Sequence, residues 1–124
     1  MKQPMENALK IAIEYLEELR TVAEWAEKMR YDSPKNFSRE FRNHFGERPL
    51  KVLNTLRSIK AIKLLTTTDK TVYEIGYCEL GIGDEKQFYQ FLGYHTGYSP
   101  RNIRGMKNGE VSRILEKLKS KIRE

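Results

Sequence analysis

Apolar residues in this chain recur every three or four positions and nowhere alternate, a pattern that predicts helices and no strands. Over residues 5–20, Leu9, Ala12, Ile13, Leu16 and Leu19 form one stripe, with Glu6, Glu14, Glu17 and Glu18 largely outside it. Thr21 then opens a second helix whose expected inner side is Val22, Trp25, Ala26 and Met29, Trp25 reading as core rather than as a ligand platform. Tyr31-Asp32 turns the chain into a third helix begun by Ser33-Pro34, an N-cap residue followed by proline at the first helical position. Gly46 is placed to cap its end, and Pro49 starts the longest helix, 49–66, with Val52, Leu53, Leu56, Ile59, Leu64 and Leu65 apolar. After the polar break Thr66–Lys70, helices are expected at 71–80 and 84–96, followed by a short one opened by Ser99-Pro100. The expected fold class is all-α.

The third helix is two-faced. Phe37 and Phe41 fall on one side at i, i+4, while Lys35, Ser38, Arg39 and Arg42 fall on the other. A short helix anchored by aromatics and presenting basic and polar side chains suits a DNA major groove, although a solvated face is the ordinary reading of a single such stripe. The pattern, however, occurs twice. Fifty-one residues on, Ser33 maps to Asp84, Lys35 to Lys86, Phe37 to Phe88, Phe41 to Leu92, Gly46 to Gly97 and Pro49 to Pro100. The preceding helix repeats at an offset of 50, because Thr21-Val22-Ala23-Glu24 corresponds to Thr71-Val72-Tyr73-Glu74. Both tetrads are Thr-x-x-Glu capping boxes. A repeat that preserves caps, buried aromatics and a closing Gly-x-x-Pro indicates two helix-turn-helix units in one chain.

Composition narrows the picture further. A chain of 124 residues suits one domain or two very small ones. About a third of the residues are charged and no long apolar run exists, so no membrane span is expected, and Met1–Glu6 lacks the apolar core of a signal peptide. The single cysteine, Cys78, fits a reducing cytoplasm and is expected near the core. Net charge is +6, unevenly spread: −1 over residues 1–30, +4 over 31–60, −2 over 61–100 and +5 over 101–124. Phosphate contacts are therefore expected around the first reading helix and in the C-terminal tail.

Enzymatic constellations are thin. His44 and His95 sit 51 apart at equivalent repeat positions near the ends of the two reading helices, which favours a helix-dipole or phosphate contact over catalysis. No His/Cys/carboxylate set has metal-ligand spacing, and Gly81-Ile82-Gly83 follows no strand, so it is a turn and not a nucleotide-binding loop. Neither enzymatic activity nor a metal or cofactor is expected.

Residues 8–104 resemble the DNA-binding domain of the AraC/XylS family of bacterial transcription regulators. The run from Arg57 through Ala61 to Leu64-Leu65 matches that family's R-x-x-x-A-x-x-L-L. The second unit carries Glu74-Ile75-Gly76, then Gly81, Asp84, Phe88 and Thr96-Gly97-Tyr98-Ser99-Pro100, and Ile103-Arg104 closes the domain. Departures are an extra residue between first helix and reading helix in each unit, Gln90 where an arginine is frequent, Leu92-Gly93-Tyr94 for Phe-Lys-Lys, and Gly76 for a common alanine.

The resemblance implies a homeodomain-like pair: a first helix-turn-helix subdomain (1–48), a linker helix (49–66), a second subdomain (67–104) and a helical extension (105–124). It implies sequence-specific regulation, with helices near 34–45 and 85–96 in two successive major grooves. Lys35, Asn36, Ser38, Arg39 and Arg42 are the candidate DNA contacts of the first unit, and Lys86, Gln87, Tyr89 and Gln90 those of the second. Double-stranded DNA is the expected partner and RNA polymerase a further candidate; the chain is expected to act as a cytoplasmic single-domain member and as a monomer. The competing class is a protein-interaction module on the same scaffold with weak or lost readout, supported by Asp84-Glu85 and the sparse basicity of helix 84–96. In the extension, Val111, Ile114, Leu115, Leu118 and Ile122 recur at helical spacing among lysines and arginines. That pattern leaves three roles open: docking on the domain, dimerisation, and a basic arm on DNA.

Overall fold

The computed structural model describes residues 1–122 and, among them, consists of helices and turns with no strand. A 3₁₀ turn (Met5–Asn7) leads into α1 (Ala8–Glu14), α2 (Val22–Lys28), α3 (Pro34–Phe45) and the linker helix α4 (Pro49–Thr67). A π turn (Glu74–Glu79) precedes α5 (Glu85–Thr96), α6 (Pro100–Arg104) and α7 (Asn108–Lys119). The last two residues of the expected extension lie outside the described range.

Local chemistry sets most of these boundaries. Thr21 Oγ1 accepts from the Glu24 N–H (3.1 Å), and the Glu24 carboxylate accepts from the Thr21 N–H (2.9 Å). The same box recurs with Thr71 and Glu74 at 3.0 and 3.2 Å. Gly46 and Gly97 end the two reading helices in left-handed backbone, at φ 74° and 82°, a conformation without penalty only for glycine. At the far end of α4, the hydroxyls of Thr66, Thr67 and Thr68 donate to the carbonyls of Ile62, Lys63 and Leu64, satisfying acceptors of the last turns.

The first unit is built on aromatics. Trp25 packs against Phe37 and Phe41 with ring centroids 5.4 and 5.0 Å apart, and Phe41 meets Phe45 at 4.5 Å. The Trp25 indole N–H donates to the Ala8 carbonyl at 3.1 Å, which satisfies its buried donor and ties α1 to α2. The second core is mainly aliphatic: Ile75, Leu80, Phe88, Leu92 and Ile103 are all fully buried. Linker helix α4 lies between the two cores, touching α2, α3, the π turn, α5, α6 and α7, so it is buried around most of its circumference.

Several expectations are corrected. The first helix does not run over 5–20: α1 ends at Glu14, and Tyr15 leaves helical geometry at φ −112°, ψ 25°. Leaving the helix there lets Leu16 and Leu19 turn into the core while the Leu19 carbonyl faces α4. Ile13 is 57% exposed, because α1 turns its narrow alanine face inward, with Ala8 and Ala12 fully buried and the Ala8 carbonyl accepting from Trp25. The linker helix continues one residue past 66, to Thr67.

The extra residue of the second unit has a definite location. In the first unit, Arg30 ends α2 in left-handed backbone (φ 60°), and the Tyr31 N–H reaches the Ala26 carbonyl, five residues back. In the second, Gly81 (φ 63°) takes the place of Arg30, but the Ile82 N–H reaches the Gly76 carbonyl, six residues back. The insertion is absorbed by the π turn, where the Leu80 N–H bonds to the Ile75 carbonyl in an i→i+5 register. α2 is regular over the same stretch, so the first unit holds no such turn. The wider turn brings the buried face back at Leu80 rather than three residues past Ile75, which is why Cys78 is exposed instead of near the core.

Candidate nucleic-acid interface

Helix α3 is held by its buried face, and that fixes what its outer face presents. Ser33 Oγ accepts from the Asn36 N–H at 3.1 Å, Pro34 occupies the first turn, and Phe37, Phe41 and Phe45 are buried. Lys35, Asn36, Arg39 and Arg42 are exposed and Ser38 is half-buried. Ser38, Arg39, Arg42 and Asn43 line a common surface groove ending at Gly46. Glu40, the one acid of α3, lies off this stripe: it accepts from the Tyr31 hydroxyl (3.0 Å) and pairs with Lys2 (3.5 Å). Burial and the Glu40 carboxylate raise the Tyr31 pKa, keeping its hydroxyl a donor. The positive stripe is thus left without a carboxylate of its own helix among it.

Helix α5 is set in the same way but presents different chemistry. Asp84 Oδ1 accepts from the Gln87 N–H and Gln87 Oε1 accepts from the Asp84 N–H, both at 2.9 Å. Gly83 makes this box possible, since a Cβ there would lie 2.0 Å from Gln87 Oε1. Lys86, Tyr89 and Gln90 are exposed as a stripe, whereas Gln87 has its carbonyl oxygen engaged in capping and keeps only its amide donors for a partner. Phe88 and Leu92 anchor the inner face. The Phe88 ring lies so close to the preceding helix that a Cβ on Gly76 would fall 2.8 Å from it, so glycine at 76 is a packing requirement.

Two residues not foreseen from the sequence belong with these stripes. Asn43 follows Arg39 by four, and Tyr94, 86% exposed, follows Gln90 by four. They are equivalent at the offset of 51, so repeat position and helical spacing together were the available signal. The histidines diverge. His44 is exposed, but His95 is half-buried, and burial followed by the nearby Lys121 charge lowers its pKa. His95 is therefore drawn toward the neutral form, not toward the cation that a helix-dipole or phosphate contact needs.

Arginines tie a part of each unit to α4. Arg57, nine-tenths buried, donates from its guanidinium to the Leu19 carbonyl, binding the α1–α2 turn to the linker. Burial lowers its pKa, opposed by the charge of Glu24 and assisted by that of Arg20. Arg104 donates to the carbonyls of Leu65 (3.1 Å) and Thr68 (3.3 Å), and to that of Lys70, holding α6 against the end of α4. Among the described residues, no group of three or more His, Cys, Asp or Glu is arranged to hold a metal ion, and no helix is long and apolar enough to cross a membrane.

Two capped helix pairs, each offering an exposed helix on a shared linker, define a tandem helix-turn-helix protein. Residues 33–106 match the family model described as a helix-turn-helix domain. The DNA-binding domain of AdpA, solved with a target DNA, is similar at a TM-score of 0.71 with 29% identity, over 82% of this chain and 90% of that one. An AraC-type DNA-binding-domain regulator from Chromobacterium violaceum is similar at 0.68 and 25%, over 81% and 88%. The transcriptional activators RhaS of Enterobacter sp. (strain 638) and of Salmonella arizonae are each 39% identical over 72 residues, 58% of this chain. The chain spans about a quarter of the length of these curated relatives, 26%. It belongs to the AraC/XylS family of helix-turn-helix DNA-binding domains.

Proposed function

We propose that the chain is a sequence-specific DNA-binding transcriptional regulator that reads two successive major grooves, one with α3 and one with α5. The observation that carries this reading is the exposed stripe of Lys35, Ser38, Arg39 and Arg42, backed by three buried phenylalanines and repeated in position by Lys86, Tyr89 and Gln90 on α5. Asn36 and the amide donors of Gln87 sit at the helix starts, within reach of backbone or base edges; Asn43 and Tyr94 extend the two stripes. Basic side chains on α3 suit guanine edges and phosphates, whereas the tyrosine and glutamine of α5 suit adenine edges and thymine methyl groups. The same reading divides the chain into a first subdomain (1–48), a linker, a second subdomain (67–104) and an extension from 105 onward. It takes DNA as a monomer, with RNA polymerase as the further protein partner of a regulator, in a bacterial cytoplasm.

Selection of bound duplexes from a randomised library, followed by sequencing, tests the proposal. A recovered motif with two unequal halves is expected. Recovery of no motif would favour a protein-interaction module on this scaffold instead.

A further inference from the structure

Helix α7 docks on linker helix α4 through Leu118, which is buried, with Val111, Ile114 and Leu115 half-buried beside it. That docking orients the rest of α7. Arg113, Lys117 and Lys121 follow at i, i+4, i+8 and form a stripe bordering the docked face. Two adjoining clefts open along the stripe. One, ≈ 500 Å³, lies between Arg48, Lys51, Tyr94, His95 and Lys121; the other, ≈ 270 Å³, continues past His95 and Lys121 to Arg113 and Lys117. Because His95 and Lys121 line both, they form one channel, and among the described residues no carboxylate lines it. Glu47 pairs with Lys51 at 2.9 Å from outside it. The partial negative charge at the end of α5 accounts for about one neighbouring cation and Glu47 for Lys51, which leaves three of the five.

The channel also occupies a particular place. Arg48 lies two residues beyond Gly46, the cap of α3, and Tyr94 and His95 are in the last turn of α5. It therefore opens between the C-terminal ends of the two reading helices. With α3 and α5 in successive major grooves, the sugar-phosphate backbone separating those grooves crosses this gap.

We propose that the channel between the start of α4, the end of α5 and the extension α7 is a phosphate-binding site that holds the DNA backbone between the two grooves, with α7 as its outer wall. The inference rests on the DNA-reading function above. It assigns the extension a role in affinity without a role in sequence choice, since phosphates carry no base information.

The test measures affinity against salt for the full chain and for the double variant Lys117→Ala/Lys121→Ala, on a selected duplex and on a scrambled one. Both lysines are exposed, and an unchanged melting temperature confirms that the variant is folded. The expected result is an equal loss on both duplexes and a slope of log affinity against log salt reduced by about 2, one for each lysine. Lys117→Arg/Lys121→Arg should retain the parent slope. An unchanged slope in the alanine variant, while the parent binds DNA, overturns the channel and leaves the DNA-reading function standing. Failure of the parent chain to bind any duplex removes both. In a second arm, inorganic phosphate is titrated against the ring resonances of His95. Saturation there without any change in the alanine variant's DNA slope makes the channel a small-anion site, which also overturns the proposal.

Discussion

Arg39 stands at the centre of the α3 stripe, exposed and one helical turn from Asn43. Arg39→Ala should relax selection at one or two base pairs and cost about 1–3 kcal/mol of discrimination against the wrong base. Equal weakening on every sequence would instead make it a phosphate contact. Gly76 and Gly93 form a contrasting pair. A methyl at 76 meets the Phe88 ring, so Gly76→Ala should destabilise by roughly 1–3 kcal/mol despite the gain in helix propensity. A methyl at 93 meets nothing within 4 Å, so Gly93→Ala should stabilise by up to about 1 kcal/mol in the same denaturant titration. His95 supplies a pH dependence with a definite sign. Burial and then Lys121 lower its pKa below the unfolded value of 6.5, so its contribution is fully present above that value and is lost as pH falls through the folded one. His95→Asn should flatten the decline of melting temperature as pH falls below about 6.5; an unaltered decline would contradict this.

The two helix-turn-helix elements share a plan but not a composition. The first packs Trp25, Phe37, Phe41 and Phe45 behind a helix with three exposed cations, Lys35, Arg39 and Arg42. The second packs mainly aliphatic side chains around Phe88, takes up an extra residue as a π turn, and exposes a single cation, Lys86, on its reading stripe. Such a difference in charge predicts a division of labour. Alanine at Lys35 or Arg39 should reduce affinity more than alanine at Lys86 or Gln90, compared at one salt concentration by equilibrium titration. Equal or reversed losses would remove the asymmetry.

At the scale of the molecule, α4 sets the separation of the reading helices. Its 19 residues span roughly 28 Å at about 1.5 Å each, somewhat short of the ~34 Å between successive major grooves on one face. One chain should therefore protect about 20 base pairs lacking two-fold symmetry, with the duplex bent toward the protein to bring both grooves into reach. Footprinting combined with stoichiometry decides this, and an obligate dimer on a palindrome, each chain using one helix, would exclude it. Binding should also weaken steeply with salt, because the basic segments 31–60 and 101–124 displace counterions.

How much of this was legible beforehand follows from the range of the forces involved. Helix starts at Thr21, Ser33, Thr71, Asp84 and Ser99, and helix ends at Gly46 and Gly97, depend on bonds between near neighbours, so the sequence alone determined them. The same holds for the two-faced character of α3, where a 3.6-residue period separates phenylalanines from cations within one helix. Tertiary structure decided what depends on partners distant in the chain. The exposure of Ile13 reflects the buried alanine face of α1, Ala8 and Ala12, and the early end of α1 lets the Leu19 carbonyl meet Arg57, 38 residues away. The departure from the family pattern revealed an extra residue, but its place in the second unit, a π turn that leaves Cys78 exposed, was decided in the folded chain. The apolar stripe of α7 left docking, dimerisation and a free arm open; the folded chain packs it against α4, because burial is a property of the assembled fold and not of the segment.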